Sequence, residues 1–150
     1  MRQHLLTGLD EGGIGIGLMP GYTPNVTGGE ILDVFQFAAE QEQIIFAHVR
    51  DGGIGALAMQ EVIANTASTG AALHIVHVNS MARGDIDMVL QLISGARSRS
   101  LDISTEVYPY TAASSYIQSS LFDEGWQDRF GMGYREIQWV ATGERLNKET

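Results

Sequence analysis

The sequence has no cysteine, which removes disulfides and thiolate metal ligands together and leaves the redox compartment unreadable from this feature. Cations are scarce. Nine basic residues, of which Lys148 is the single lysine, face 18 acidic ones, for a net charge of −9 and a pI near 4.7. They are scattered, so no basic patch exists for a nucleic-acid backbone or an anionic lipid surface. With lysine confined to position 148, no carboxylated-lysine bridge between metals can come from the strands present. Long apolar runs are also missing: none approaches the roughly 18 residues of a membrane span. The stretch Met1 to Glu11 is mixed and lacks the apolar core of a targeting segment,. No compartment follows from this, a cytoplasmic one being the plainer expectation. Low-complexity stretches and an evident linker are absent as well.

What is present is a β/α alternation. Glycine is in surplus, 18 of 150 residues, against a usual share near 7%, as tight turns between strands and helices require. Arg2 to Glu11 reads as the tail of a helix stopped by Gly12-Gly13. Ile14 to Leu18 reads as a small-residue strand closed by the loop Pro20 to Pro24. Glu30 to Gln41 carries Ile31, Val34, Phe35, Phe37 and Ala38 at helical spacing. A second strand, Ile44 to Val49, leads through the glycine loop Asp51 to Gly55 into a helix from about Ala56 to Ser68, with Leu57, Met59, Val62, Ile63 and Ala67 as its stripe and Gly70 as its stop. A third strand, Leu73 to Val78, precedes a helix with Asp85 as N-cap and Met88, Val89, Leu92 and Ile93 on its apolar side. The fourth, Leu101 to Val107, runs into a long polar and aromatic loop, Tyr108 to Trp126. Thr142-Gly143-Glu144-Arg145 reads as a helix start.

Alternating strands and helices of this length imply parallel pairing with right-handed crossovers. Two architectures satisfy the pattern: a segment of a β/α barrel, and a complete small doubly wound sheet. The chain is too short for a whole barrel of about 250 residues, and it is read as one partial barrel, residues 1–150, without a separate second domain. In both architectures ligands gather at the carboxyl ends of the strands.

His48 and His77 stand at those ends, 29 residues apart, and Glu106 follows after another 29. Side chains alternate along a strand, which places His48 with Phe46 and Ile44, and His77 with Ile75 and Leu73, on faces that can both line a barrel interior; His74 has the opposite parity. Two neutral imidazoles suit zinc, although a catalytic zinc usually takes about three protein ligands and a water. Either histidine taken alone reads first as a buried, hydrogen-bonded core residue, and it is their matching strand position that brings the metal reading level with that one. Arg50 at the rim suits a carboxylate held in a bidentate manner, or an ion pair with Asp51. Glu106 is placed to accept from a neighbouring ligand histidine, or to pair with Arg50. Tyr22, Tyr108 and Tyr110 sit on rim loops where a hydroxyl can donate to a developing oxyanion or simply pack. Gly13-Ile14-Gly15-Ile16-Gly17 is not a dinucleotide loop, because Leu18 stands where the third glycine belongs and no helix opens there.

Several segments in order resemble one family: Leu9 to Gly17, Gly21-Tyr22-Thr23-Pro24, Ala47-His48-Val49-Arg50, Val76-His77-Val78-Asn79-Ser80, Glu106 to Ser114, Glu124-Gly125-Trp126 and Ala141 to Arg145. They look like the D-aminoacylase branch, the N-acyl-D-amino-acid deacylases, of the amidohydrolase superfamily. The resemblance implies a TIM-type (β/α)8 metal-dependent hydrolase barrel, of which this chain would hold about strands four to seven. It makes His48 and His77 ligands of Zn²⁺, one or two ions, and puts Tyr22, Tyr108 and Ser114 at substrate-contacting positions. Arg50 and Asn79 join that group, Asn79 standing where the family commonly has a lysine beside the substrate carboxylate. The implied reaction is hydrolysis of a non-peptide C–N bond in a small acylated amino acid by a metal-activated water, with Tyr108 helping hold the tetrahedral oxyanion. The family's His-x-His pair, its additional metal ligand and its proton-shuttling aspartate have no counterpart in these residues, so the chain alone is expected to be inactive. Two other readings stay open: a cyclic-amide hydrolase of the hydantoinase or dihydroorotase kind, and a non-catalytic β/α binding module.

Overall fold

A computed structural model describes residues 1–50 and 55–149. The expected loop Asp51 to Gly55 lies mostly outside the described residues. The chain divides into two compact units, Met1–Ser114 and Ser115–Thr150.

In the first unit α1 (Arg2–Asp10) is followed by β1 (Ile16–Leu18), α2 (Gly28–Glu40), β2 (Ile44–Ala47), α3 (Gly55–Thr69), β3 (Ala72–Ile75), the short α4 (Val78–Ala82), α5 (Ile86–Arg97) and β4 (Ile103–Thr105). Helix α2 begins at Gly28, before the expected Glu30, because Thr27 and Glu30 form a capping box. The Glu30 amide donates to Thr27 Oγ1 at 3.2 Å and the Thr27 amide to Glu30 Oε2 at 2.9 Å, which satisfies two donors that a helix start leaves open. Helix α1 is tied to α2 by Arg2, whose guanidinium lies 2.7 Å from both Asp33 and Glu40. Helix α3 ends at Gly70, whose φ of +78° suits a residue without Cβ,. Asp85 does sit at the N-cap of α5, but its side chain makes no capping bond. The chain coils earlier than expected, in α4, since Val78 and Ala82, one turn apart, both bury.

The four strands pair in the order β1-β2-β3-β4, all parallel. Each crossover therefore moves one strand over in the same direction, and right-handed connections then place every helix on one face. A doubly wound sheet reverses its strand order partway. No reversal occurs among the described strands, so the arrangement is that of a barrel segment and the doubly wound alternative falls.

Burial agrees with this. Ile45, Ala47, Leu73, Ile75 and Ile103 are at most 2% exposed and share one core with Ile31, Phe35, Met59, Val62, Val89 and Ile93 of the helices. Ile44, Phe46, Ala72, His74 and Ser104, on the opposite face, are only half-buried. The helical stripes read from sequence hold for α2, whose five expected positions are all buried. Three corrections apply elsewhere: Leu57 and Met88 are exposed, at 57% and 51%, and so is Ala67, because Ala56, Met59, Val62 and Thr66 make the buried edge of α3 and Val89, Ile93 and Ala96 that of α5. Gly15 passes so close to β2 that a Cβ there would meet Phe46 Cε2 at 2.7 Å and the Ile44 carbonyl at 2.8 Å.

In the second unit Trp126 opens the short α6 (Trp126–Phe130) and is packed edge-on by Phe122 and Tyr134, at ring separations of 5.7 and 5.8 Å. The expected helix start at Thr142 is instead a turn closing an antiparallel bridge between Gln138 and Arg145. Gly143, at φ +76°, allows it, and the Trp139 amide donates to Glu144 O at 2.8 Å.

Candidate metal centre

The strands are shorter than the apolar runs suggest, so His48, His77 and Glu106 all lie just beyond strand ends. His48 is reached by extended backbone: its amide donates to Leu18 O at 2.9 Å, continuing the β1–β2 ladder. Parity with Phe46 then carries its ring to the face away from the helices, where the residue is 9% exposed.

His77 arrives differently, and the parity argument is corrected. Leu73 and Ile75 face the helices, so a straight continuation would have buried His77 among them. The chain instead turns at His77, whose φ of +33° and ψ of +56° are left-handed, a conformation costing about 1–3 kcal/mol outside glycine. The result is convergence. The rings of His48 and His77 have centres 5.2 Å apart with planes at 74°.

These rings belong to a row along the rim. Tyr22 packs edge-on against His48 at 4.9 Å, Tyr108 lies 6.2 Å from His77, and Tyr110 stacks on Tyr108 at 6.3 Å. Both histidines are oriented from behind. His48 Nδ1 lies 3.2 Å from the Val49 carbonyl; a carbonyl only accepts, so Nδ1 carries the hydrogen and Nε2 the lone pair that a metal needs. Ser80 Oγ donates to His77 O at 3.1 Å and lies 2.9 Å from His77 Nδ1. With its one hydrogen so engaged, Oγ accepts from Nδ1, and His77 adopts the same tautomer.

The separation of the ring centres is the one that a pair sharing a cation would have. Two imidazoles on one tetrahedral zinc, at Zn–N distances of about 2.0–2.1 Å, place their ring centres about 5 Å apart. Among the described residues no group of three or more His, Cys, Asp or Glu side chains could hold a metal.

The other expected site residues are placed as follows. Arg50 donates from Nε to both Glu61 oxygens, at 2.9 and 3.2 Å, and from Nη2 to Val26 O at 2.8 Å. Its ion pair is thus with α3, which overturns the pairing with Glu106; Asp51 lies outside the described residues. Asn79 presents its amide to the Tyr108 main chain. Ser114 is exposed, and no hydrogen bond among the described residues joins it to the histidines. Glu106 does reach the expected ligand histidine, but at the main chain: the His77 amide donates to Oε1 at 3.3 Å. Its other oxygen lies 3.7 Å from His74 Nε2, and His74 Nδ1 lies 2.8 Å from Ser104 Oγ. Ser80, Glu61 and the His74–Ser104 pair carried no role in the sequence reading. For Ser80 a signal existed, its place three residues after His77 at a helix start.

Comparison with known proteins gives no matching family model and no matching curated protein. Solved structures do match. One is an N-acyl-D-glutamate deacylase from Bordetella bronchiseptica, complexed with zinc and a phosphonate inhibitor that mimics the tetrahedral intermediate; it is 24% identical over 73% of this chain, with a TM-score of 0.62. A second is a D-aminoacylase described as defining a novel subset of amidohydrolases, 25% identical over 70% of the chain, with a TM-score of 0.61. A D-aminoacylase variant in complex with copper chloride matches equally, at 25% identity over 70% of the chain. The chain spans about a quarter of their length, 24% of the first and 23% of the other two. In fold this chain resembles one stretch of the D-aminoacylase-like amidohydrolases, the family to which its motifs already point.

Proposed function

We propose that this chain supplies four β/α units, about half of a barrel, to a metal-dependent amidohydrolase that cleaves the amide bond of an N-acyl-D-amino acid. One observation carries the reading: two imidazoles from adjacent parallel strand ends meet with ring centres 5.2 Å apart, on the face away from the helices. The similarity to an N-acyl-D-glutamate deacylase and a D-aminoacylase supports the substrate class. A bound zinc supplies Lewis acidity toward the amide carbonyl and acidifies water.

His48 and His77 would hold the ion through Nε2, each kept in that tautomer by the Val49 carbonyl and the Ser80 hydroxyl. Ligands beyond this pair come from outside the described residues. Tyr108, next to His77, donates its hydroxyl to the carbonyl oxygen as negative charge grows on it. Tyr22, against His48 on the other side, forms a wall for the substrate. In this reading both units belong to one catalytic domain, and the chain alone binds metal without turning substrate over.

Titration of the chain with Zn²⁺ or Co²⁺, followed by calorimetry, is expected to show saturable binding that His48→Ala and His77→Ala each weaken by about tenfold or more. Undiminished binding in both variants overturns the proposal. In a protein carrying the complete ligand set, release of the acyl group from an N-acyl-D-amino acid is the expected activity. Ring opening of a cyclic amide in its place would assign the hydantoinase type instead.

A further inference from the structure

Past the last residues of β3 and β4 the two segments stay joined, by one main-chain bond and then by side chains. The regular ladder ends at the pair Ile75 and Thr105. Beyond it the Val78 amide donates to Glu106 O at 2.9 Å, the last main-chain bond between the two exits among the described residues. On one side of this bond the Glu106 carboxylate takes the His77 amide at 3.3 Å. On the other, the Asn79 amide meets the Tyr108 main chain with both its ends: the Tyr108 amide donates to Oδ1 at 3.4 Å and Nδ2 donates to Tyr108 O at 3.3 Å. An amide side chain has one donor end and one acceptor end, the same pair of groups that a strand residue would have offered.

We infer that Glu106 and Asn79 are positioning residues whose side chains extend the β3–β4 ladder beyond the strands, Glu106 fixing the His77 backbone and Asn79 fixing Tyr108. The need for such a device follows from the turn at His77. A left-handed histidine faces its neighbouring strand with an amide that the regular ladder no longer pairs, and a residue in that conformation persists only where its surroundings over-determine it. The Glu106 carboxylate supplies the acceptor, and is steadied in turn by His74, with Nε2 at 3.7 Å from Oε2, and by the contact of His74 with Ser104. The two residues are complementary in charge type as well. A carboxylate can only accept, which suits a lone amide, whereas Asn79 meets an amide and a carbonyl together. Through them the separation of the His77 and Tyr108 rings, 6.2 Å, is set by the β3–β4 register.

This inference rests on the proposed metal site for its meaning, but its test can be read without metal. In the metal-free chain, amide hydrogen exchange is followed by NMR. Glu106→Ala is expected to speed exchange at His77, and Asn79→Ala at Tyr108, each by about tenfold. Glu106→Gln keeps an oxygen acceptor at the same reach and restores protection at His77; Asn79→Asp keeps Oδ1 and restores it at Tyr108. These two conservative variants carry the test should either alanine variant fail to fold. Co²⁺ affinity is expected to fall about 10- to 100-fold in Glu106→Ala and to recover in Glu106→Gln. Exchange at His77 and Tyr108 that is unchanged in the alanine variants overturns the inference. Exchange that responds as expected in a chain whose wild type binds no Co²⁺ upholds the extended ladder and overturns the metal reading instead.

Discussion

On β3, Leu73 and Ile75 point to the helices and are at most 1% exposed, whereas Ala72 and His74, alternating with them, point the other way and remain half-buried. The same split runs across the sheet. One face is hydrocarbon packed against the helices; the other carries Phe46, His74 and Ser104, with His48 at its edge. The apolar core and the proposed site thus lie on opposite sides of the same four strands, and a substitution on one side should spare the other. Among the described residues the polar exception on the helix side is Thr66 of α3, 1% exposed, whose hydroxyl finds no hydrogen-bond partner among them.

The largest expected effect tests that split directly. Ile75→Ala should lower stability by about 2–5 kcal/mol, because it leaves a cavity in a core that cannot fully collapse. His74→Gln, one residue away on the opposite face, should cost no more than about 1.5 kcal/mol, the scale of the hydrogen bond it shares with Ser104. Urea unfolding measures both, and equal losses would break the comparison.

A smaller effect of opposite sign is expected at Thr66. Thr66→Val keeps the shape and removes a buried hydroxyl that has lost its water, so the midpoint should rise by an amount equivalent to about 1 kcal/mol. A fall in midpoint would show that the hydroxyl is satisfied in solution.

The smallest effect belongs to neither face. Main-chain and side-chain hydrogen bonds from Thr27 hold the Glu30 carboxyl below its ordinary value of 4.5, and the hydrogen bond from Arg2 holds Asp33 below 3.8. In both cases the folded chain binds protons less readily than the unfolded one, so stability rises with pH through this window. The contribution is present above pH 4.5 and is lost as pH falls through the lowered folded values. Glu30→Gln should flatten part of the acid limb seen in urea midpoints below about pH 4.5, while Ile75→Ala should shift the whole profile down without altering its slope.

Much of this was legible in the chain itself. The β/α order, the five buried positions of α2, the stop at Gly70 and the rim position of His48 all follow from local spacing. The errors cluster where a contact from elsewhere overrides the local pattern. His77 has the parity of Ile75 and leaves that face only by a left-handed turn, whose amide is taken by Glu106. Arg50 is expected to pair with Glu106, yet Glu61 of the neighbouring helix holds it. Thr142-Gly143 has the composition of a helix start and becomes a turn, because Trp139 and Glu144 bond across it.

The sequence alone determined that strands and helices alternate, which residues of α2 meet a core, and that two histidines stand at successive strand ends. Those properties rest on neighbours two to four residues apart, within reach of steric and hydrophobic periodicity. Only the tertiary structure decided which face of the sheet the helices cover, that the two imidazoles converge, and that Glu106 and Asn79 reach residues 29 positions away. Such contacts depend on strand order and register. Parallel pairing is settled by the packing of every crossover at once, a condition that no local pattern states.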